Sequence, residues 1–249
     1  MLPGDRPLGC LLLHGFTATP EEVRPLAVAL ASAGFTARAV RLPGHATTAA
    51  ELAGTTWHDW LRGAEDGLAA ARTSTARTAV VGISLGALLA FLLAARRPKD
   101  VTAVVACATP LILADYRPTL LRLLRWLPPI QRRFAMIPKP GGRDIGDPVA
   151  RAASRSYDVM PLAALLSLLH LRRVVRRELD RVTQPTLVLH GRLDHSAPPT
   201  NVALLQRRLG SRWIETRILE RSWHVLTEDV ERDEVSRLAV DFLSRVESS

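Results

Sequence analysis

With 249 residues, 47% of them hydrophobic, the chain is long enough for one large α/β domain that carries an insertion. No apolar run approaches the length that spans a bilayer, and no signal-peptide pattern precedes the first apolar run, so we expect a cytoplasmic protein without stable membrane insertion. The formal net charge of +9 at pH 7 is not accompanied by a nucleic-acid-binding motif, and we expect no nucleic-acid partner.

The first part of the chain alternates apolar runs with helical patterns. Runs at residues 8–13, 35–40, 79–81 and 101–106 predict buried strands, and helical patterns fill the intervals between them. Two cysteines, Cys10 and Cys107, fall in these runs and are predicted to be buried free thiols. Such alternation predicts a mostly parallel central sheet with helices on both faces, in which ligands bind beyond the carboxyl ends of the strands.

The pattern changes between residues 111 and 181. This stretch has no strand-like run, is interrupted by prolines and glycines, and carries helical patterns near residues 120–127 and 162–180. Strand and helix patterns then resume to the end of the chain. We therefore predict a core domain, residues 1–110 and 182–249, and a helical cap insertion, residues 111–181.

A sharp turn with a serine at its tip follows the third predicted strand. The segment reads Gly82-Ile83-Ser84-Leu85-Gly86 and matches G-x-S-x-G, the nucleophile elbow. The residues two positions before and after the serine are glycines, and any side chain there would collide with the strand or the helix. The match alone is weak, because turns of small residues join strands to helices in many α/β proteins.

A serine nucleophile needs a histidine base and a carboxylate that orients the histidine. In proteins with this elbow, the acid and then the histidine follow the serine, each after a strand. Asp194 lies four residues past a predicted strand that ends at His190, and His224 lies five residues past one that ends at Leu219. The predicted catalytic residues are therefore Ser84, Asp194 and His224.

Acyl transfer by such a triad also needs backbone amides that bind the oxyanion of the tetrahedral intermediate. Leu85, at the start of the helix after the elbow, provides one. The second is expected from the loop after the first strand, where Phe16 is the candidate, and its ring would line the acyl pocket or pack in the core. This chemistry requires no cofactor and no metal, and we predict neither.

Five motifs in register resemble those of the small bacterial carboxylesterases related to monoacylglycerol lipases, within the α/β-hydrolase superfamily. They are His14-Gly15-Phe16-Thr17, Leu42-Pro43-Gly44-His45, Thr56-Trp57-x-Asp59-Trp60, the elbow, and His224-Val225. The resemblance covers nearly all the chain and is weakest from about residue 112 to 155. It implies an α/β-hydrolase fold with a small helical cap and a serine esterase acting on short- to medium-chain acyl esters or monoacylglycerols. It implies the same catalytic and oxyanion-hole residues.

One departure from the family concerns the site. Trp223 stands where the family usually has glycine, just before the catalytic histidine. Its ring would narrow the site or move the histidine loop. We predict that Trp223 contacts the acyl ester substrate together with Phe16, Leu85 and Trp126.

Several alternatives stay open at this point. Thioesterase, lactonase or lysophospholipase activity would use the same triad, and a weakly active binding protein would keep its geometry. The chain gives no preference between a monomer and a homodimer. Arg172, Arg173, Arg176 and Arg177 alternate with apolar residues in the insertion, a pattern that allows peripheral lipid contact, although a solvated helix face is more common.

Overall fold

The structure is a computed structural model and describes residues 1–114, 135–139 and 142–249. Trp126 and the helical pattern predicted near residues 120–127 lie outside the described residues. The first part of the chain forms, in order, β1 (Leu8–Leu13), α1 (Arg24–Ser32), β2 (Thr36–Val40), α2 (Ala49–Ala53), α3 (Trp57–Arg72), β3 (Arg77–Ile83), α4 (Leu85–Arg96) and β4 (Ala103–Cys107). A 3₁₀ turn, Pro20–Val23, precedes α1. The short helix α2 lies between the turn after β2 and the start of α3.

The predicted insertion contains both strands and helices. Its elements are β5 (Met136–Pro138), α5 (Pro148–Ala153), β6 (Val159–Pro161) and α6 (Leu162–Glu178). Because β5 and β6 pair as an antiparallel ribbon, the prediction of a stretch without strands is wrong. Each strand has only three residues and ends in proline, so neither produces an alternating apolar pattern.

The last part of the chain completes the sheet with β7 (Thr186–Gly191), α7 (Thr200–Arg208), β8 (Ile214–Leu219) and α8 (Arg232–Glu247). Six parallel strands lie in the order β2-β1-β3-β4-β7-β8, which confirms the predicted α/β-hydrolase architecture. The chain leaves β1 toward one edge to form β2 and returns to the other side of β1 to form β3. The loops after β1 and β3 therefore flank the switch point, where α/β sheets bind their ligands.

Both faces of the sheet are buried, as parallel sheets require. One face packs against α3, α4 and α6, and the other against α1 and α8. Cys10 and Cys107 are buried free thiols, as predicted, and burial raises the pKa of each to about 12. Within the described part of the chain, no helix combines the length and apolarity needed to cross a membrane.

The elbow requires glycine at two positions. A Cβ on Gly82 would lie 2.2 Å from the carbonyl oxygen of Gly86, and a Cβ on Gly86 would lie 2.0 Å from that of Leu13. The two carbonyl oxygens belong to the backbone of α4 and of β1. Neither can move without disturbing the packing of α4 against the strands. The predicted steric role of the two glycines is therefore visible in the structure.

We expect Gly86→Ala to lower the free energy of unfolding by at least about 2 kcal/mol, because the added carbon overpacks a rigid site. Gly54→Ala is the matched control, since its Cβ would lie 3.4 Å from the nearest atom and its φ is −82°. The control is expected to unfold within about 0.5 kcal/mol of the wild type. Urea unfolding measures both, and equal stability of the two variants would contradict the prediction.

Candidate active site

Ser84 occupies the tip of the turn between β3 and α4. Its φ of 53° and ψ of −112° are strained for a residue with a side chain, and strain of this kind is found at functional sites. The Ser84 amide donates to the Cys107 carbonyl oxygen at 2.9 Å, which ties the tip to the neighbouring strand β4. The tight turn thus presents the hydroxyl to a pocket beyond the carboxyl edge of the sheet.

The structure brings the three predicted catalytic side chains into one hydrogen-bonded line. Nε2 of His224 lies 2.9 Å from Oγ of Ser84, and Nδ1 of the same ring lies 2.8 Å from Oδ2 of Asp194. A carboxylate only accepts, so Nδ1 carries the proton and Nε2 is left to accept the serine proton. Ser84 follows β3, Asp194 follows β7 and His224 follows β8, so all three converge at one edge of the sheet.

The carboxylate of Asp194 accepts hydrogen bonds from backbone amides as well as from the imidazole of His224. Its Oδ1 accepts from the amides of Ser196 at 2.9 Å and Ala197 at 2.7 Å. Burial alone would raise the pKa of Asp194, but His224 and His190 hold it well below its usual range. The Nε2 atom of His190 lies 3.1 Å from Oδ2, a contact that the sequence does not predict because its pattern marks His190 only as a strand residue.

The electrostatics of the pair favour a cationic imidazole. Burial alone would lower the pKa of His224, but the Asp194 carboxylate outweighs it and raises that pKa above the ordinary value for histidine. Two further carboxylates, those of Asp144 and Glu22, act in the same direction. The site is therefore suited to stabilise the imidazolium that forms when the serine loses its proton.

A buried carboxylate, Asp229, fixes the loop that carries His224. It accepts a hydrogen bond from the Trp223 amide at 2.7 Å. It also accepts from two amides of the segment between β5 and α5, those of Gly146 at 3.0 Å and Asp147 at 2.9 Å. Asp229 is fully buried, so these amides replace the water it has lost. The Asp144 carbonyl oxygen also accepts from the His224 amide at 3.2 Å. No motif in the sequence indicates this arrangement.

The two predicted oxyanion-hole amides lie in the elbow and in the turn after β1. Leu85 is the first residue of α4, so its amide has no acceptor within the helix. Within the described residues, the Phe16 amide donates to no protein acceptor. Thr17, with φ of 65°, turns the chain just after it. Both residues therefore retain a donor that is free to bind an anion.

Two neutral histidines brace the loop that carries Phe16. In His14, Nδ1 donates to the Gly15 carbonyl oxygen and Nε2 accepts from the Leu42 amide. Burial lowers the pKa of His14 to about 3 and that of His45 to about 4, so both rings are uncharged near neutral pH. The Phe16 ring packs on His45, with ring centroids 6.1 Å apart. The first two motifs of the resemblance thus support one another through these rings.

Glu22 adds a carboxyl group beside the same loop. It accepts from the Gly15 amide at 2.5 Å, one residue before Phe16. Burial raises the pKa of Glu22 to about 7, although the hydrogen bond from Gly15 opposes the shift. The sequence pattern places Glu22 only in the first turn of a helix and does not indicate this contact.

A pocket of about 530 Å³ opens at Ser84 and His224. Of the four predicted substrate contacts, Phe16 and Trp223 line it, the buried Leu85 does not, and Trp126 lies outside the described residues. The Trp223 ring rests against the ring of His195, 4.6 Å between centroids, and under the guanidinium of Arg151. The hydrogen bonds of His224 are intact, so the bulky neighbour forms part of the wall without displacing the histidine loop.

One group of side chains has the composition of a metal site. Asp144, Asp194 and His224 each offer a ligand atom within 4.8 Å of the others. Two of these residues are already joined by the hydrogen bond from Nδ1 to the carboxylate. A metal ion bound to that nitrogen would have to displace its proton, and the arrangement is better suited to proton transfer.

Comparisons with known proteins agree with this geometry. The family model described as serine aminopeptidase, S33, matches residues 8–231. The thermostable monoacylglycerol lipase of Bacillus sp. (strain H-257) is 31% identical over 96% of this chain and 91% of its own length. The carboxylesterase of Bacillus subtilis (strain 168) is 25% identical over 98% of this chain and 94% of its own.

A solved structure supports the same relationship. The structure reported for the metagenome-derived lipolytic enzymes LipS and LipT superposes with a TM-score of 0.89 and 28% identity. The match covers 98% of this chain and 96% of that one. Family model, relatives and structure all span nearly the whole chain, and the chain belongs to the serine aminopeptidase S33 family of α/β hydrolases.

Proposed function

We propose that this hydrolase cleaves carboxylic esters of short- to medium-chain acyl groups, with Ser84 as the nucleophile. The observation that carries the proposal is the continuous line from Ser84 Oγ through His224 to Asp194, with contacts of 2.9 and 2.8 Å. The relatives named as a monoacylglycerol lipase and a carboxylesterase favour an ester over other acyl compounds.

The geometry assigns a role to each group. Ser84 Oγ attacks the ester carbonyl carbon while His224 Nε2 takes the hydroxyl proton. The amides of Phe16 and Leu85 bind the oxyanion. His224 then returns the proton to the leaving alcohol, which departs and leaves an acyl group on Ser84. Water, activated by the same imidazole, hydrolyses this acyl-enzyme and restores the serine.

We also propose that the described part of the insertion covers the pocket as a cap. Its apolar side chains Met160, Leu165 and Leu168 line the pocket and suit an acyl chain. Lipid contact through the basic residues of α6 is the weaker hypothesis, because the interleaved Leu169 and Val175 are buried against the core. These two side chains are not available to enter a membrane.

A panel of p-nitrophenyl esters from acetate to palmitate tests the proposal, with Ser84→Ala as the blank. The expected result is Ser84-dependent hydrolysis that is fastest for short to medium chains. Matched thioester and p-nitroanilide substrates of the preferred acyl length run in parallel, because the family is named after a peptidase. Hydrolysis of the anilide or the thioester alone would overturn the assignment to esters.

The raised pKa of His224 predicts the pH dependence of the reaction. Only the neutral imidazole can accept the serine proton, so a higher pKa moves the rising limb of the profile to higher pH. We expect kcat/KM to increase with pH and to reach half its maximum above pH 6.5, the ordinary value for histidine. Stopped-flow or plate assays with butyrate esters between pH 5 and 10 measure it. A half-maximum below pH 6 would contradict the prediction.

A further inference from the structure

The wall of the pocket has an apolar part, a cationic part and two carboxylates, those of Glu22 and Asp144. Leu113, Met160, Leu165 and Leu168 form an apolar part, and Lys139, Arg143 and Arg151 line the same pocket with the hydroxyls of Ser154 and Ser156. The hydrocarbon chain of an acyl group offers no hydrogen-bond acceptor to three cations. The cationic residues therefore call for a separate explanation.

Two of the cations converge on one neutral oxygen. Lys139 Nζ lies 3.2 Å and Arg143 Nε lies 3.4 Å from Oγ of Ser156. Within the described chain, Lys139 has no carboxylate within ion-pair distance, and Arg143 reaches only Asp158, at 3.4 Å. The Asp158 side chain is 87% exposed, so this pair neutralises little charge. Lys139 feels the charge of Glu22 at longer range.

The burial of Lys139 has an energetic cost. Burial lowers the pKa of Lys139 to about 8, the Arg143 guanidinium acts in the same direction, and the carboxylates of Glu22 and Asp158 oppose the shift. An anion seated between the two cations would remove their repulsion and accept charge-assisted hydrogen bonds from both. The Ser156 hydroxyl accepts from both cations and would adjoin an anion bound between them.

The cationic residues of the pocket extend from Ser156 to Trp223, the residue before His224. Arg143 donates to the Arg151 carbonyl oxygen at 3.4 Å, and the guanidinium of Arg151 lies 5.0 Å from the ring centre of Trp223. Trp223 adjoins His224, which must protonate the departing oxygen. An ester whose alcohol part lies beside these cations would leave the apolar residues of the same pocket for its acyl chain.

We propose that Lys139, Arg143 and Ser156 form a subsite for an anionic group, phosphate or carboxylate, carried by the alcohol part of the ester. The preferred substrates are then acyl esters of negatively charged alcohols. The inference depends on the proposed ester hydrolysis and adds to it the charge of the leaving group.

Two substrate pairs test the subsite with the full-length protein. The carboxylate pair is 4-(butanoyloxy)benzoate against 4-(butanoyloxy)benzamide, and the phosphate pair is 1-lauroylglycerol 3-phosphate against 1-lauroylglycerol. The measured quantity is the ratio of kcat/KM for the anionic member to that for the neutral member. Dividing a variant's ratio by the wild-type ratio cancels the intrinsic reactivity of each ester.

Lys139→Met is expected to lower that ratio about tenfold or more for at least one pair, the loss of one charge-assisted hydrogen bond. Ser156→Ala should lower it for the same pair. Arg155→Met is the matched control, because Arg155 is an exposed cation of the same segment outside this pocket. Its ratio should stay at the wild-type value. The pair that responds identifies the anion as carboxylate or phosphate.

An unchanged ratio for both pairs in Lys139→Met and Ser156→Ala would overturn the subsite. A drop of the same size in Arg155→Met would overturn it as well, because the effect would then be general electrostatics. Failure of the proposed ester hydrolysis is distinguishable from failure of the subsite, because in that case the wild type would cleave the neutral esters no faster than Ser84→Ala does. Circular dichroism of each variant verifies that its fold is retained.

Discussion

Ser84→Ala is expected to lower kcat for p-nitrophenyl butyrate by at least about 10⁴-fold, because the members of a triad act as a unit. The loss follows from the geometry, since the hydroxyl that the variant lacks is the group in hydrogen-bond contact with His224 Nε2. Alanine keeps the Cβ of serine, so the strained turn with φ of 53° is no worse than in the wild type. Stability should therefore be unchanged while activity is lost.

The experiment has a covalent readout as well as a kinetic one. A fluorophosphonate should add once to the wild-type protein in intact-mass spectra and leave Ser84→Ala unmodified. Ser32→Ala, at the exposed end of α1, is the control and should behave as the wild type in both assays. Labelling of the Ser84→Ala protein at full rate would show that another residue is the nucleophile.

Asp194→Asn is expected to lower kcat by about 10³- to 10⁴-fold with little change in the pocket. The amides of Ser196 and Ala197 require an acceptor, so the asparagine oxygen takes the place of Oδ1. Its NH₂ group then faces Nδ1 of His224, where a carboxylate oxygen accepted before. The imidazole must carry its proton on Nε2, and that tautomer cannot accept the proton of Ser84.

The same substitution makes a second, independent prediction. Without the Asp194 carboxylate, the main cause of the raised His224 pKa is gone, so residual activity should reach its half-maximum at lower pH than in the wild type. Asp180→Asn serves as the control, because Asp180 is an exposed carboxylate outside the pocket. A kcat for Asp194→Asn within about tenfold of the wild type would contradict the assigned role.

The positions of the three side chains of the proposed triad were predictable because each follows a strand of a parallel sheet. Strand order need not be known for this, since the carboxyl ends of all parallel strands lie at one edge. Ser84, Asp194 and His224 were thus predicted together although they are distant in the chain. The elbow glycines were predictable for a similar reason, because their constraint is local.

Contacts made by loops and by the insertion were not predictable. Asp229 and Glu22 act on backbone amides, and any residue can offer an amide, so no residue type marks their partners. His190 lies inside an apolar strand, and the hydrophobic pattern of that strand indicates its burial but not its contact with Asp194. Lys139 precedes residues without regular pattern, and its contact with Ser156 depends on the short ribbon of β5 and β6.

The buried carboxylate of Asp229 has a consequence for engineering. It joins two amides of the insertion, Gly146 and Asp147, to the amide next to His224. Exchanging residues 111–181 for the corresponding segment of another hydrolase is therefore not a modular operation. A graft that presents no donors at that point leaves the buried Asp229 carboxylate without two of its hydrogen bonds and unties the His224 loop from the exchanged segment. Such chimaeras would lose turnover even when the transplanted segment folds well.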